Sequence, residues 1–255
     1  MYIFRKWLPD TPENQLFAFL GKNGFSPYPY PFRLKYKKLP VDCFQDKSLG
    51  MCYVIHSGKR LYFPDNYRKK RAVASYRFLS MEQDAASPHQ YIKDINRLKG
   101  KTLLDLGAAE GMFTLSVIDI INHAYLFECE EYWIKALNAT FAPWKDKVTL
   151  VPKYVSDKND EDNITIDRFL EGKDTTNLFL KMDIEGYEQA ALRGAEKTFK
   201  EAKDIDFSIC TYHREEDAIE IGNYLKANHL ETEHTEGFMY MGNSFRKAII
   251  RRKYS

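Results

Sequence analysis

The sequence predicts an α/β protein built on a mostly parallel sheet with an antiparallel edge, and three observations predict it. From Lys101 onward, short apolar runs alternate with helical patterns, the signature of parallel strands joined by crossover helices. The first run, TLLDLG (102–107), leads through D-x-G-x-x-x-G straight into a helical pattern. Near the end, GFMYMG (237–242) and FRKAIIRR (245–252) read as a closing pair of strands.

Each element follows from its residues. In the aromatic, proline-rich residues 1–48, SPYPYPF (26–32) excludes a regular helix or a central strand. MCYVIHSGKRLYF (51–63) reads as a hairpin turning at Ser57-Gly58, and 67–83 as a helix. HQYIKDINRLKG (89–100) reads as a second helix, begun after Ser87-Pro88 and capped by Gly100. Thereafter come strand 102–107, helix 111–121, strand 124–128, helix 131–141 and strand 147–151. A helical or extended connection at 164–170 precedes strand 177–183, a glycine-broken helix 185–199, strand 205–213 and helix 215–228. The change of pattern divides the chain into an N-terminal α+β extension, 1–97, and a larger domain, 98–255.

Composition narrows the function classes. No uncharged apolar run reaches 18 residues, so no spanning helix is expected. The opening MYIFRKWLPDTPENQ lacks the apolar core of a signal peptide, and a cytoplasmic protein is expected. Cys43, Cys52, Cys129 and Cys210 form no C-x-x-C pair and read as reduced thiols. Residues 1–100 carry 18 Lys/Arg and 8 Asp/Glu, a balance of +10; the remainder carries 20 and 28, a balance of −8. That asymmetry fits either an anionic acceptor or a basic surface facing the acidic half. The run Arg68-Lys69-Lys70-Arg71 can bind phosphate or form a solvated helix face. No zinc finger or RNP-type aromatic motif marks a nucleic-acid binder.

The glycine loop carries the strongest functional signal. In a parallel sheet, ligands sit beyond the carboxyl ends of the strands, where Asp105-Leu106-Gly107 falls. A nicotinamide fingerprint needs glycine at 107, 109 and 112, but positions 109 and 112 are Ala and Met. No G-K-[ST] follows, so a P-loop also fails. The loop suits a ligand with an adenosine end and no pyrophosphate. Glu128, 23 residues after Asp105, ends the next strand, where a carboxylate can accept both ribose hydroxyls.

With LFECEEYWIKALNATF and, above all, FLKMDIEGYEQAALRGAEKTF, the stretch LLDLGAAEGMF resembles the FkbM-type methyltransferases over roughly residues 98–251. The resemblance implies a class I Rossmann-like sheet of seven strands and S-adenosylmethionine as cofactor. It implies that Asp105, Gly107, Ala108, Ala109, Glu110 and Gly111 line the methionine end and that Glu128 takes the ribose. The adenine site is implied near Tyr154 to Asp157, with Ser156 and Asp157 as its candidates. Glu110 departs from the family, which often shows a small or β-branched residue there.

Other strand ends supply candidate chemistry. Asp183 ends the fourth strand, where it can hold the cofactor ammonium, orient an acceptor or bind a divalent cation; the alternative is capping helix 185–199. Tyr212-His213 ends the fifth, with His213 as a base, a metal ligand or a surface histidine. Lys181 reads as a structural ion-pair partner. The segment 81–91 offers Glu82, Gln83, Asp84, His89 and Tyr91, which either close over the acceptor, together with Glu185 and Tyr212, or form a polar linker. The expected activity is methylation of a hydroxyl on a sugar or other small molecule, with Asp183, His213 or His89 handling the proton. A phosphorylated or nucleotide-linked acceptor fits the basic front half. Rival readings are a nicotinamide oxidoreductase, an RNA or protein methyltransferase and a non-catalytic cofactor-binding module. The sequence does not fix metal dependence or subunit number.

Overall fold

The computed structural model describes residues 9–201 and 205–253. The first eight residues of the 1–97 extension and the last two of the 98–255 region lie outside the described residues. The extension opens with helix α1 (Pro12–Asn23), where Thr11 accepts from the Asn14 amide and Pro12 takes the first turn. Strands β1 (Cys43–Asp46), β2 (Met51–His56) and β3 (Lys59–Tyr62) form an antiparallel sheet, followed by helix α2 (Lys69–Glu82). The hairpin turns at Ser57-Gly58 as the sequence predicts. Helix α1 and strand β1 were not foreseen, although the Thr-Pro start and Gly24 stop of α1 are ordinary helix signals.

The larger region runs β4 (Thr102–Leu106), α3 (Met112–Val117), β5 (His123–Phe127), α4 (Glu131–Phe141) and β6 (Val148–Val151). After β7 (Tyr154–Val155) and β8 (Asn163–Ile164) come α5 (Ile166–Leu170), β9 (Leu178–Met182), α6 (Glu188–Arg193) and α7 (Glu196–Glu201). The chain continues with β10 (Asp206–Cys210), α8 (Asp217–Ala227), β11 (Thr232–His234), β12 (Met239–Met241), β13 (Ser244–Arg246) and β14 (Ile249–Arg252). Seven strands make one sheet in the order β11-β14-β10-β9-β4-β5-β6. Strands β10, β9, β4, β5 and β6 are mutually parallel, and β14 runs antiparallel to both its neighbours. This is the mixed α/β, mostly parallel sheet with an antiparallel last strand.

Side chains of a strand alternate between its faces. Leu103 and Phe179 therefore join one apolar cluster with Val54, Leu61 and Phe63 of the extension, while Leu104, Leu106 and Leu180 join another beneath α6 and α8. Packing of the extension onto the first face carries the end of α2 to the carboxyl ends of β4 and β9.

Two expectations are corrected. Residues 89–100 form no α-helix. The Tyr91 carbonyl accepts from Ser208 Oγ at 2.5 Å and its amide donates to Gln83 Oε1 at 3.2 Å, so the chain there is tied to its neighbours. Only a 3-10 turn forms at Ile95–Leu98, after Asp94, and Gly100 instead donates to the Ile120 carbonyl. The closing strands also differ. Met239–Met241 pairs with Ser244–Arg246 in a separate ribbon, and the sheet edge is β11. That ribbon holds the extension: the Tyr240 amide donates to the Pro27 carbonyl, and the Phe238 amide to Tyr30 Oη, both at 2.8 Å. Among the described residues no helix is long and apolar enough to cross a membrane.

Candidate active site at the carboxyl ends of the sheet

The donor side is built from backbone. Gly107, Ala109 and Gly111 have φ of +75°, +45° and +72°, which curl the chain back over the end of β4. Gly107 and Ala108 both donate to the Phe127 carbonyl, at 3.0 and 3.1 Å. A Cβ on Gly107 would collide with the Asp183 carbonyl oxygen, and one on Gly111 would lie 2.6 Å from Leu137 Cδ2. Both glycines are thus required by close approach as well as by φ. The helix after the loop is shorter than expected, ending at Val117.

Acidic side chains pin this loop. Glu128 Oε2 accepts from the Ala109 amide at 3.0 Å, while Oε1 accepts from the Cys129 and Glu130 amides at 2.8 and 2.9 Å. Asp105, 1% exposed, accepts from Thr114 Oγ1 at 2.6 Å and pairs with Lys181 Nζ at 3.0 Å. Lys181 also donates to the Gly107 carbonyl at 2.6 Å. Its ion pair is the expected one, and together with Asp105 it supports the loop from below. Glu110 turns toward α2, where its Oε1 accepts from Ser75 Oγ at 2.9 Å.

The acceptor side is built from side chains brought from far apart. Tyr91 donates to Asp183 Oδ2 at 2.6 Å and Tyr212 to Oδ1 at 3.2 Å. Nε2 of His89 lies 3.6 Å from Asp183 Oδ2 and Nε2 of His213 3.5 Å from Oδ1. Burial would raise the Asp183 pKa, but His89, Lys181 and His213 outweigh it and hold the carboxyl far below the usual range. Burial, then the Asp183 charge, pushes both tyrosines well upward, so they remain phenol donors. Asp183 does not cap a helix. The Ile184 amide is taken by Glu188 Oε1 at 3.0 Å, and α6 begins after Tyr187 with no side-chain cap.

Glu82 ends α2 and accepts from Tyr28 Oη at 3.0 Å. Burial pushes its carboxyl up to about 7; the His89 charge opposes this, and Asp183 adds to it. His89 itself is pulled down by burial, but Glu82 and Asp183 more than offset that and its pKa lies above the ordinary value.

Donor and acceptor sides enclose one cavity of about 250 Å³. Its walls include residues 107–111, the α2 residues Phe78, Leu79 and Glu82, then Gln83, Tyr91, Asp183, Glu185 and Tyr212. Five carboxylates, from Glu82, Asp105, Glu110, Asp183 and Glu185, line it against one cation, Lys181. Such a lining favours a positively charged ligand, and the sulfonium and ammonium of S-adenosylmethionine fit it. Glu128 stands at the next strand end but does not line the cavity, and both of its oxygens accept from backbone amides.

The predicted residues do not all meet here. His89 and His213 lie behind Tyr212 and Asp183 and do not line the cavity. Asp84 points elsewhere, accepting from Tyr36 Oη at 2.5 Å and pairing with Lys35. Ser156 is buried and Asp157 pairs with Arg193 at 2.8 Å; neither lines the cavity. Conversely, Ser75, Phe78 and Leu79, which were not foreseen, line it together with the foreseen Glu82, at spacings of three, four and seven along α2, a shared helical face. That periodicity was readable, but nothing local said which surface the face would meet.

The FkbM methyltransferase domain pattern matches residues 107–241, more than half of the chain. The protein belongs to the FkbM methyltransferase family. Membership implies S-adenosylmethionine binding rather than a nicotinamide cofactor. Among solved structures, the chain is similar to the FkbM methyltransferase of Methylobacillus flagellatus KT, at 17% identity and TM-score 0.49, over 72% of this chain and 54% of that one. This chain therefore spans about half the length of that relative. It is also similar to Trm5b from Pyrococcus abyssi, at 12% identity and TM-score 0.48, over 97% and 79% of the two chains. The precorrin-6y C5,15-methyltransferase of Geobacter metallireducens GS-15 aligns at 12% identity and TM-score 0.41, over 63% of this chain and 85% of that one. No curated protein matches the chain.

Proposed function

We propose that this methyltransferase transfers the methyl group of S-adenosylmethionine to a neutral hydroxyl of a sugar or other small molecule. One observation carries the reading: the glycine loop of the donor side and the Glu82, Tyr91, Asp183 and Tyr212 side chains share one cavity. When bound, the cofactor supplies an electrophilic methyl on a sulfonium. The chain's own residues then have to align the acceptor and take its proton.

Asp183 and Glu82 divide that work. Asp183 is held ionised and accepts from two tyrosines, which suits it to orient a hydroxyl or the cofactor ammonium. A base as weak as Asp183 takes up a proton poorly. Glu82, pushed up to about 7, is matched to neutral pH and is the group to which the hydroxyl proton passes as the oxygen–methyl bond forms. His89 then acts from behind, through Tyr212.

The cavity also bears on acceptor charge. Among the described residues, none of the basic residues of the first hundred lines it. Lys35 pairs with Asp84, Lys59 with Asp119 at 2.7 Å, and Arg71 stacks on Tyr67 at 3.9 Å. An acidic lining disfavours phosphate near the reacting oxygen, so any anionic part of the acceptor belongs outside. Turnover of a panel of neutral glycosides, their phosphorylated counterparts and a short RNA, followed by S-adenosylhomocysteine release, tests the reading. Methylation confined to RNA would reject it.

A further inference from the structure

The donor loop carries one long side chain. Gly107, Ala108, Ala109 and Gly111 bear at most a methyl group, and Glu110 stands between two left-handed residues, Ala109 and Gly111. Its carboxylate leaves the loop and meets α2, where Ser75 Oγ donates to Oε1 at 2.9 Å. Glu110 and Ser75 both line the cavity. Burial pushes the Glu110 carboxyl upward, and its own amide and Ser75 oppose this.

Helix α2 is weakly fastened where it begins. Arg68 supplies no side-chain cap, and Lys69, Lys70 and Arg71 fill the first turn, against the helix dipole. Other bonds tie α2 to the extension itself: Tyr76 Oη meets His56 Nδ1 at 3.1 Å, Arg77 Nε donates to the Leu39 carbonyl at 2.8 Å, and Tyr28 holds Glu82. The Ser75 bond differs, because it joins the helix directly to the donor loop. Ser75 and Glu82 share one face of α2, two turns or about 10 Å apart along its axis.

We propose that Glu110 is a positioning residue: by holding Ser75 it fixes where α2, and with it Glu82, stands relative to the donor methyl. The effect on turnover rests on Glu82 as the proton acceptor; the clamp itself does not. Methyl transfer needs the acceptor oxygen in line with the methyl while a base reaches its hydroxyl. The loop places the donor and α2 carries the base, so the spacing between two separate segments sets the alignment. A misplacement of about 1 Å costs on the order of 100-fold in rate. A hydrogen bond to a carboxylate is short and directional, and holds that spacing where a methyl side chain would leave it loose.

Two measurements test it. Hydrogen exchange along residues 69–82, read by mass spectrometry with S-adenosylhomocysteine present, needs no acceptor. Glu110→Ala should speed it roughly tenfold, as loss of a charge-assisted hydrogen bond does. Glu110→Gln, whose amide oxygen accepts from the same hydroxyl, should restore most of the protection. The second measurement is a double-mutant cycle on turnover of the glycoside that the acceptor panel identifies. Ser75→Ala and Glu110→Ala should each lower kcat about 10- to 100-fold, and the double variant no further than the worse single one. In Ser75→Ala, affinity for S-adenosylhomocysteine should change less than kcat does. Exchange unchanged in Glu110→Ala would overturn the proposal, as would multiplied losses in the double variant or unchanged turnover in Ser75→Ala. If no glycoside turned over, the hydroxyl reading would fall and exchange alone would decide the clamp. Turnover kept in Glu82→Gln but lost in Ser75→Ala would reject Glu82 as the base and leave the clamp standing.

Discussion

The donor and acceptor sides of the cavity are made of different material. On the donor side, five consecutive residues, Gly107 to Gly111, curl between two strand ends and are held by backbone amides and carbonyls. On the acceptor side, the contacts join side chains 54, 92 and 123 positions apart: Tyr28 with Glu82, Tyr91 with Asp183, His89 with Tyr212. A backbone site tolerates few substitutions because its shape is the chain itself. A side-chain site can be rebuilt residue by residue, and acceptor preference can change while the donor site stays fixed.

Substitutions on the two sides should therefore fail differently, and the greatest failure is expected at Gly107. Gly107→Ala places a Cβ into the Asp183 carbonyl at a backbone φ of +75°. The expected outcome is loss of S-adenosylhomocysteine binding by calorimetry, with a lowered melting temperature. Retention of normal affinity would break the description of the donor side as backbone-limited. Glu82→Gln comes next, with turnover falling roughly 100- to 10,000-fold, the range for removing a general base. Donor affinity should be unchanged, and its loss would mean that Glu82 supports the cofactor instead.

Glu82 also predicts a pH dependence. Activity of the parent protein should fall as pH drops through about 7, where Glu82 takes up its proton. Stability should move the other way. The folded carboxyl is raised above its ordinary 4.5, so its contribution is fully present below pH 4.5 and is lost as pH rises through 7. Denaturant unfolding across that window should show the decline in the parent and not in Glu82→Gln.

Glu128→Gln should weaken donor binding about tenfold, as loss of one charge-assisted hydrogen bond does, with acceptor turnover at saturating donor preserved. Asp84→Asn should do least. Its carboxylate holds Tyr36 and the exposed Lys35, away from the cavity, so a stability loss of about 1 kcal/mol and unaltered turnover are expected. A large loss of turnover there would restore Asp84 to the acceptor wall.

The same contrast explains what was legible in the sequence. Strand, glycine loop, helix, strand and Glu128 occupy one short span, and their spacing alone locates the donor side. The alternating strands of 102–210 were readable because burial on both faces makes each a continuous apolar run. The acceptor wall was readable in part: Glu82, Gln83, Tyr91, Glu185 and Tyr212 stood out by residue type and placement, whereas Ser75, Phe78 and Leu79 of α2 acquire their role only when the extension packs on the sheet. His89 and His213 drew attention by residue type, yet the structure sets them behind the wall. The helix expected at 89–100 failed for a related reason: Ser208 and Gln83 claim the backbone of Tyr91, and neither is adjacent in sequence. Helix α1 has ordinary capping residues, Thr11 and Gly24, but buries only Leu20, so little apolar periodicity marks it in the sequence.

The ribbon β12–β13 ties Pro27 and Tyr30 in place, and Tyr28 between them grips Glu82. Glu82 thus depends on residues near position 240 that share no strand with it. A change in the ribbon would therefore reach the proton-accepting group without touching the glycine loop.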